Sequence, residues 1–560
     1  MDTLHSSRLH SILRAACWVA FAICLVVCAA GPLTAQTVVG NEQSRSPNGT
    51  GRILLVLPFD NRSGQPSLEW IREAAPEILS SRFTSAGFAP MSRADRLYAL
   101  DHLGLPQGFH PSRATALKLA ETLDADSIVV GSFLTDGTRI VVEARLVDVP
   151  HLRMSEQVSA SGEMRDLIAV FSSLAWKLTR QLDPKFSVAE ETFVAAGAGL
   201  RVDAFEQYIR GITESDQAER LRHLNAAVTM NPQFGPAWMA LGREDYNGQQ
   251  YEQAAVAFAK VARGDPGSQG PDALEAGFYR GLSLVFSGDY PKAELAFGEV
   301  ARVLPLAEVV NNEGVAVSRQ GHDGVALFRL AVATDPSMAD YHFNLAVSLK
   351  RHGQIADALA ELALCLKLHP NDSEALALDA AWKGAAVGVQ ALAGANADAE
   401  PKADPLERIA RNFDAQAFRQ AAQMLDEVDA TRLAALTPEK RAEMLSGKAK
   451  EYLNRGLLLE ADRLYLSAVA TDSAVAEAHT GLAEVRERTG DSAGARNEAQ
   501  AALQLAPQVD AHLVLARLDF AGGNLDEASK EAGEALKLDA TSRGALDLRR
   551  LIEAKEGQKK

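Results

Sequence analysis

Residues 237–266 read AWMALGREDYNGQQYEQAAVAFAKVARGDP, and residues 277–305 read GFYRGLSLVFSGDYPKAELAFGEVARVLP. In the first stretch Gly242, Ala254 and Phe258 stand at intervals of 12 and 4 residues, and the second stretch repeats both intervals. Each stretch ends in a proline. This recurring pattern indicates helical pairs that stack on one another, because a single pair cannot bury its own apolar face.

The same pattern returns along most of the chain after residue 200. Small residues let two helices approach closely, the aromatic residue fills the space beside them, and the proline ends the second helix of the pair. Pro336 and Pro370 lie 34 residues apart, which gives the period. The structural anchors of the pattern are Trp238, Leu241, Gly242, Ala254, Phe258, Pro266, Gly281, Ala293, Phe297, Pro305, Pro336, Ala346, Ala358, Pro370, Ala461, Ala468, Ala495 and Pro507.

This period and these anchors resemble the tetratricopeptide repeat (TPR). The resemblance implies two all-α superhelical arrays: array 1 at 200–383, with about five repeats, and array 2 at 441–556, with three repeats and a capping helix. Residues 384–404 between them are an Ala/Gly-rich linker. Residues 405–440, which include LERIARNF, are expected to form bridging helices.

The first third of the chain has a different pattern, and we expect residues 52–183 to form an α/β domain. The apolar run ILLVL at 53–57 is typical of a strand that is covered on both faces. Asp136-Gly137 joins two β-rich runs and predicts a hairpin. The fold class is therefore a multidomain one: an N-terminal α/β domain with a mixed sheet and flanking helices, followed by two all-α arrays.

Three stretches of this domain carry a second resemblance. ILLVLPFDNRSG, GFAPMSRADRL and LDADSIVVGSFLTDGTRIVVEARLVDV are similar to the amino-terminal domain of TolB and to the related domains of the curli-secretion lipoprotein (CsgG) and FlgO families. The shared positions are Pro58-Phe59, Arg93, Gly131-Ser132 and Asp148. The resemblance implies a domain that binds components of a bacterial cell envelope.

The first 35 residues have the composition of a signal peptide. Arg8 and Arg14 precede an apolar run of about 16 residues, and Leu33-Thr34-Ala35 is a small-residue cleavage site. An uncleaved anchor is the alternative. Cleavage would leave a polar flexible linker at 36–51 and no integral membrane span, so we expect an exported protein that is periplasmic or associated with the outer membrane.

The cysteines fit this expectation. Cys24 and Cys28 do not follow small residues, so lipid attachment is not expected. Cys365 is the one cysteine outside the first 35 residues, so the mature chain would form no internal disulfide. Cys365 takes a small-residue position of the repeat, and we expect a buried structural thiol there.

Charge and sequence motifs argue against several classes of ligand and of catalytic site. The 560 residues carry a net charge of −16, which argues against nucleic acid as a ligand because phosphates need cationic partners. The sequence contains no phosphate-binding loop, no nucleophile elbow and no histidine pair at metal-binding spacing. Catalytic residues, cofactors and metals are therefore not expected.

The inner groove of the arrays is the candidate binding site. Aromatic, amide and cationic groups on one face suit an extended peptide, although plain solvated groove residues are the simpler interpretation. The positions in array 1 are Met239, Arg243, Tyr246, Phe278, Asn311, Asn312, Phe343, Asn344 and Lys350. Array 2 contributes a more acidic face with Glu477, Glu484 and Glu487.

These observations favour a non-enzymatic exported scaffold, or adaptor, that binds proteins or peptides in its grooves and docks to the envelope through its α/β domain. The alternative is a subunit of an outer-membrane secretion or assembly complex. An enzyme with an unrecognised site is the third hypothesis.

Overall fold

The computed structural model describes residues 53–106, 112–195, 199–264, 271–386, 405–413 and 430–559. The expected signal peptide at 1–35 and linker at 36–51 lie outside these residues. Most of the linker at 384–404 and residues 414–429 of the expected bridging helices also lie outside them.

The N-terminal domain contains a seven-stranded sheet. The strands are β1 (Ile53–Val56), β2 (Asp60–Asn61), β3 (Ala89–Pro90), β4 (Ser127–Thr135), β5 (Arg139–Asp148), β6 (Arg153–Met154) and β7 (Val158–Glu163). Strand β1 is parallel to β3 and β4, and β2 is parallel to β4, whereas β5 is antiparallel to β4, β6 and β7. The sheet is therefore mixed, as the sequence predicts.

The predicted hairpin lies between β4 and β5. Asp136 Oδ1 accepts hydrogen bonds from the backbone N–H groups of Thr138 and Arg139, both at 2.8 Å. Gly137 has a φ of +96°, a conformation that side chains disfavour. The turn residues thus fix the register of the hairpin.

Helices cover the sheet. They are α1 (Trp70–Ser85), α2 (Arg93–His102), α3 (Arg113–Thr122), α4 (Leu167–Leu182) and α5 (Glu190–Ala195). Phe59 packs edge-on against Phe171 of α4, with ring centroids 5.6 Å apart. A Cβ at Gly131 would lie 2.3 Å from the Phe59 ring, so glycine is required for this contact.

The rest of the described chain is helical except for 405–413. Array 1 contains α6 (Val202–Thr213), α7 (Gln217–Met230), α8 (Gly235–Asn247), α9 (Tyr251–Gly264), α10 (Pro271–Phe286), α11 (Tyr290–Val303), α12 (Ala307–Arg319), α13 (Val325–Thr334), α14 (Ala339–Arg351), α15 (Ile355–Leu368) and α16 (Ser373–Ala386). Array 2 contains α17 (Pro438–Asn454), α18 (Leu458–Thr471), α19 (Ala476–Thr489), α20 (Ser492–Leu505), α21 (Val509–Ala521), α22 (Leu525–Leu538) and α23 (Arg543–Lys559). Successive helices pack in pairs throughout both arrays.

Glycines at the anchor positions allow these pairs to form. A Cβ at Gly242 would lie 2.8 Å from the Phe258 ring, and a Cβ at Gly281 would lie 2.6 Å from the Phe297 ring. Both phenylalanines are buried. Each aromatic ring therefore fills the space that the missing side chain leaves, as the repeat pattern predicts.

Two further glycines act in the same way and were not among the sequence anchors. A Cβ at Gly314 would lie 2.9 Å from Phe328, and a Cβ at Gly481 would lie 2.0 Å from Tyr465. Tyr465 belongs to α18 and Gly481 to α19, so this second contact joins consecutive repeats.

Both arrays contact the α/β domain. One apolar cluster continues from the sheet into α6, α7 and α8. At the start of array 2, Arg463 donates a hydrogen bond to the backbone oxygen of Ser85 at 2.7 Å. The hydroxyl groups of Thr192 in α5 and Thr489 in α19 lie 3.0 Å apart and are buried.

The prediction of bridging helices at 405–440 is wrong for residues 405–413. These residues have no helical hydrogen bonds and follow an irregular, non-helical path. Residues 430–434, in contrast, are helical. Within the described parts of the chain, each helix is too short or too polar to cross a lipid bilayer.

Candidate peptide-binding groove

Residues 405–413, called the groove segment, lie against the first helices of consecutive repeats in array 1. These helices are α10, α12 and α14, which carry the predicted groove positions Phe278, Asn311, Asn312, Phe343, Asn344 and Lys350. Some residues of the groove segment are bound through their backbone and others through their side chains.

Two asparagines bind the backbone of the groove segment. Asn344 Oδ1 accepts from the N–H of Arg408 at 2.6 Å, and Asn344 Nδ2 donates to the carbonyl of Arg408 at 2.6 Å. Asn312 forms the same pair of bonds with Ala410, both at 2.8 Å. Each amide therefore satisfies both backbone groups of one residue, as a neighbouring β-strand would.

A third asparagine connects the first two. Asn311 Nδ2 donates to the carbonyl of Arg408 at 3.2 Å, and its Oδ1 accepts from Asn344 Nδ2 at 2.8 Å. Asn311 also donates to Asn312 Oδ1 at 3.2 Å. All three side chains are buried. Buried amides without partners are costly, and the backbone of the groove segment supplies partners to all three.

The carboxylate of Glu407 lies in a cationic pocket. Its side chain is 0% exposed and forms ion pairs with Arg319 and Arg351. Ser318 donates a hydrogen bond to the same carboxylate. The two arginines also donate to backbone oxygens, Arg319 to Glu407 at 3.0 Å and Arg351 to Pro405 at 2.8 Å. The pocket therefore recognises an acidic side chain and the backbone on either side of it.

The guanidinium of Arg408 lies in an acidic pocket next to the first one. It stacks on Phe343 with 3.6 Å to the ring centroid, and it bonds both oxygens of Asp372 at 2.6 and 3.0 Å. Asp340 and Glu374 accept further bonds, each at 2.9 Å. Burial alone would lower the pKa of Arg408, but these carboxylates raise it, and the Arg408 hydrogen bonds lower the pKa of Asp372.

The far end of the groove segment meets an aromatic pocket. The Phe413 ring lies 5.6 Å from that of Phe278 and 6.4 Å from that of Tyr279. Ile409 packs against the same apolar cluster. Since Arg408 meets α14 and Phe413 meets α10, the groove segment runs opposite to the order of the repeats.

The structure brings several of the predicted groove positions together on this segment. Asn311, Asn312 and Asn344 bind its backbone, whereas Phe343 and Phe278 contact its side chains. They line a continuous strip from α14 to α10.

The other predicted positions have different surroundings. Met239 is buried in the core between repeats, and Arg243 forms an ion pair with Glu275 at 2.5 Å. Tyr246 lies in an aromatic cluster, where burial raises its pKa to about 12. Lys350 is partly buried in the last turn of α14, next to Arg351, which is the cation that reaches the groove segment.

The charged and hydroxyl side chains of the two pockets were missed by the sequence reasoning. They are Ser318, Arg319, Asp340, Arg351, Asp372 and Glu374. A signal was present, because Ser318 and Arg351 stand 33 residues apart, the same interval that separates Asn311 from Asn344. Residues at that interval take equivalent places on successive first helices.

The corresponding face of array 2 combines charges of both signs. Glu487 and Arg517 form a bidentate ion pair with both distances at 2.6 Å. With Glu484, Arg488 and Asp510 they line a cavity of about 410 Å³. Burial, with the nearby Asp510, raises the pKa of Glu484. Glu477 accepts a hydrogen bond from Gln508 at 3.4 Å.

Cys365 is buried in array 1. Burial, with the charge of Asp372, raises its thiol pKa to about 11, which disfavours the reactive thiolate. Within the described ranges, no group of three His, Cys, Asp or Glu side chains is placed to hold a metal ion.

Comparisons with known proteins agree with the repeat architecture. The family model described as "Tetratricopeptide repeat" matches residues 447–510. The chain matches no curated protein sequence.

Similar solved structures include two TPR proteins. YrrB, described as a TPR protein with an unusual peptide-binding site, is 16% identical over 37% of this chain and 99% of its own, with a TM-score of 0.28. The P58(IPK) TPR domain is 13% identical over 70% of this chain and 95% of its own, with a TM-score of 0.20. The LpoB C-terminal domain from Escherichia coli is 19% identical over 20% of this chain and 82% of its own, with a TM-score of 0.17.

Proposed function

We propose that this chain, which carries tetratricopeptide repeats, is a protein-binding scaffold whose array 1 holds an extended peptide segment. The observation that carries the proposal is the pairing of Asn312 and Asn344 with both backbone groups of Ala410 and Arg408. Backbone recognition of this kind accepts any extended chain, whatever its side chains.

The charges of the groove support binding rather than catalysis. The carboxylates of Asp340 and Asp372 are engaged with Arg408, and the guanidinium groups of Arg319 and Arg351 are engaged with Glu407. Such paired groups provide orientation and specificity for a ligand. We therefore assign a non-enzymatic role to array 1.

We further propose that the chain is exported and that its α/β domain docks to a cell-envelope component. The support is the sequence of residues 1–35 and the resemblance of residues 52–183 to envelope domains. Fractionation of cells that express the full chain with a C-terminal tag tests the first part. Recovery in the periplasmic or outer-membrane fraction is expected, and recovery in the cytoplasm alone contradicts it.

A peptide-display experiment tests the groove. A library of random dodecapeptides is selected against the full chain carrying E407A and R408A, substitutions that weaken the hold on its own groove segment. We expect enriched peptides whose affinity, measured by fluorescence anisotropy, falls at least tenfold when Asn344→Ala is added.

The matched control is Asn454→Ala, which removes an exposed asparagine in array 2. This variant should bind the enriched peptides as well as its parent does. If no peptide is enriched, or if Asn344→Ala and Asn454→Ala bind equally well, array 1 is not a peptide-binding site.

A further inference from the structure

We propose that the groove segment is an intramolecular ligand that competes with the partner, and that the partner presents an extended segment with the pattern Glu-Arg-Xaa4-aromatic. This inference rests on the proposed function and adds a partner chemistry and a means of control. The pattern is that of Glu407, Arg408 and Phe413, the residues whose side chains enter pockets.

Different groups in the groove are responsible for affinity and for sequence preference. The asparagines bind backbone atoms, so they contribute to the binding of any extended peptide. The three pockets differ in chemistry: two arginines around Glu407, three carboxylates and a phenyl ring around Arg408, and two aromatic rings around Phe413. Sequence preference therefore comes from these three positions.

The order of the two charges is fixed by the groove. A peptide with Arg before Glu would place its guanidinium against Arg319 and Arg351 and its carboxylate against Asp340, Asp372 and Glu374. Juxtaposed like charges disfavour the wrong ligand, and the low exposure of the Glu407 pocket limits screening by solvent. The groove thus selects an acidic residue followed by a basic one.

A free peptide could make every contact that the groove segment makes. These contacts do not require continuity with the rest of the chain. Leu406 is 56% exposed, Arg411 and Asn412 are also exposed, and Ile409 packs on the apolar cluster around Phe278. The groove segment therefore resembles a bound ligand more than a part of the repeat core.

The covalent connection makes the intramolecular ligand a strong competitor. Between Ala386, the last residue of α16, and the groove segment lie 18 residues, 387–404. Tethers of this kind give effective concentrations of about 1 mM. A peptide with an intrinsic Kd of about 10 µM would then bind the unaltered chain roughly 100-fold more weakly than an open groove.

The test uses a fluorescent peptide of residues 405–413, PLERIARNF, with capped ends. Its Kd is measured by anisotropy with the full chain in three forms: unaltered, with E407A and R408A, and with Phe413→Ala. The double variant should bind the peptide at least tenfold more tightly than the unaltered chain. Phe413→Ala, which keeps both ion-pair pockets occupied, should give an intermediate affinity.

Peptide variants test the pattern. With the double-variant chain, exchange of Glu407 and Arg408 in the peptide should weaken binding at least tenfold, and Phe413→Ala should weaken it severalfold. Asn412→Ala is the control and should bind like the parent peptide, because this side chain is exposed.

Equal affinity of the three chain forms would overturn the intramolecular competition, and equal affinity of the peptides would overturn the pattern. Circular dichroism and thermal melts verify that each chain is folded, and the Phe413→Ala chain provides the comparison if the double variant is not. A dimer of the unaltered chain that dissociates in the double variant would instead show exchange of the groove segment between two copies. Display-selected peptides of unrelated sequence that depend on Asn344 would leave the proposed function intact while refuting the pattern.

Discussion

Asn344 holds Arg408 by both of its backbone groups, with Oδ1 and Nδ2 each 2.6 Å from their partners. These residues are 64 positions apart in the sequence. A helix of one repeat thereby recognises a non-helical segment that lies outside the repeats. This relationship is the structural basis of the function that we propose.

Loss of the Asn344 amide should release the groove segment. In Asn344→Ala the backbone groups of Arg408 lose the two shortest bonds that hold them. We expect trypsin to cleave the bond after Arg408 at least tenfold faster in this variant, because a protease needs an extended and accessible chain. Mass spectrometry identifies the cleaved bond, and Asn454→Ala serves as the control. An unchanged cleavage rate would mean that Asn344 does not retain the groove segment.

Removal of the Arg408 side chain should lower the free energy of unfolding more than removal of the Arg411 side chain. Arg408→Ala leaves Asp340, Asp372 and Glu374 without their shared cation. We expect the free energy of unfolding to fall by about 2 kcal/mol. The Arg411 guanidinium is 5.0 Å from the ring of Phe286, an exposed contact worth below about 1 kcal/mol. Urea unfolding followed by circular dichroism compares the two variants. Equal losses would contradict the acidic pocket described for Arg408.

The close packing of the repeats gives a prediction with a matched control in array 2. Gly481→Ala would bring a Cβ within 2.0 Å of Tyr465, and we expect destabilisation by about 1–3 kcal/mol. Gly447 is also helical, but nothing lies within 4 Å of its added Cβ. Gly447→Ala should therefore stabilise the chain slightly, by up to about 1 kcal/mol. Thermal unfolding measures both, and effects of the same sign would refute the packing argument.

A buried carboxylate makes the stability of array 2 depend on pH. Asp462 is 1% exposed, and neither of its oxygens has a hydrogen-bond partner among the residues that the structure describes. Burial raises its pKa to about 7, although Arg486 opposes the shift. The folded state therefore holds a proton that the unfolded state releases above its lower pKa, so stability falls as pH rises from about 4 to about 7.

Asp462→Asn should remove this dependence. We expect the free energy of unfolding of the variant, relative to that of the unaltered chain, to be about 1–3 kcal/mol higher at pH 8 than at pH 5, as measured by urea unfolding at both values. Glu451→Gln changes an exposed carboxylate of α17. Its free energy of unfolding should stay within about 0.5 kcal/mol of that of the unaltered chain at either pH. A constant difference between pH 5 and pH 8 for Asp462→Asn would contradict the raised pKa.

The repeat fold could be predicted because it depends on local spacing. Gly242 and Phe258, for example, stand at a sequence interval that places them opposite each other on the two helices of one pair. Gly314 was missed because its repeat is shorter: Phe328 follows it after 14 residues, whereas Phe258 follows Gly242 after 16. A search at a single sequence interval therefore cannot find both Gly242 and Gly314.

The groove segment could not be predicted in this way. LERIARNF has the composition of a helix, yet it is not helical, because hydrogen bonds with Asn344, Asn312 and Arg351 replace those of a helix. These contacts join residues far apart in the sequence. Periodicity placed the asparagines on one face, but it contains no information about which chain lies against them.

Hydrogen exchange of the full chain tests the central claim most directly. The amides of Arg408 and Ala410 donate to Asn344 and Asn312, so fragmentation-resolved mass spectrometry should show both protected at least tenfold relative to the free PLERIARNF peptide. Asn344→Ala should abolish the protection at Arg408. Exchange of both amides in the unaltered chain at the rate of the free peptide would contradict the account.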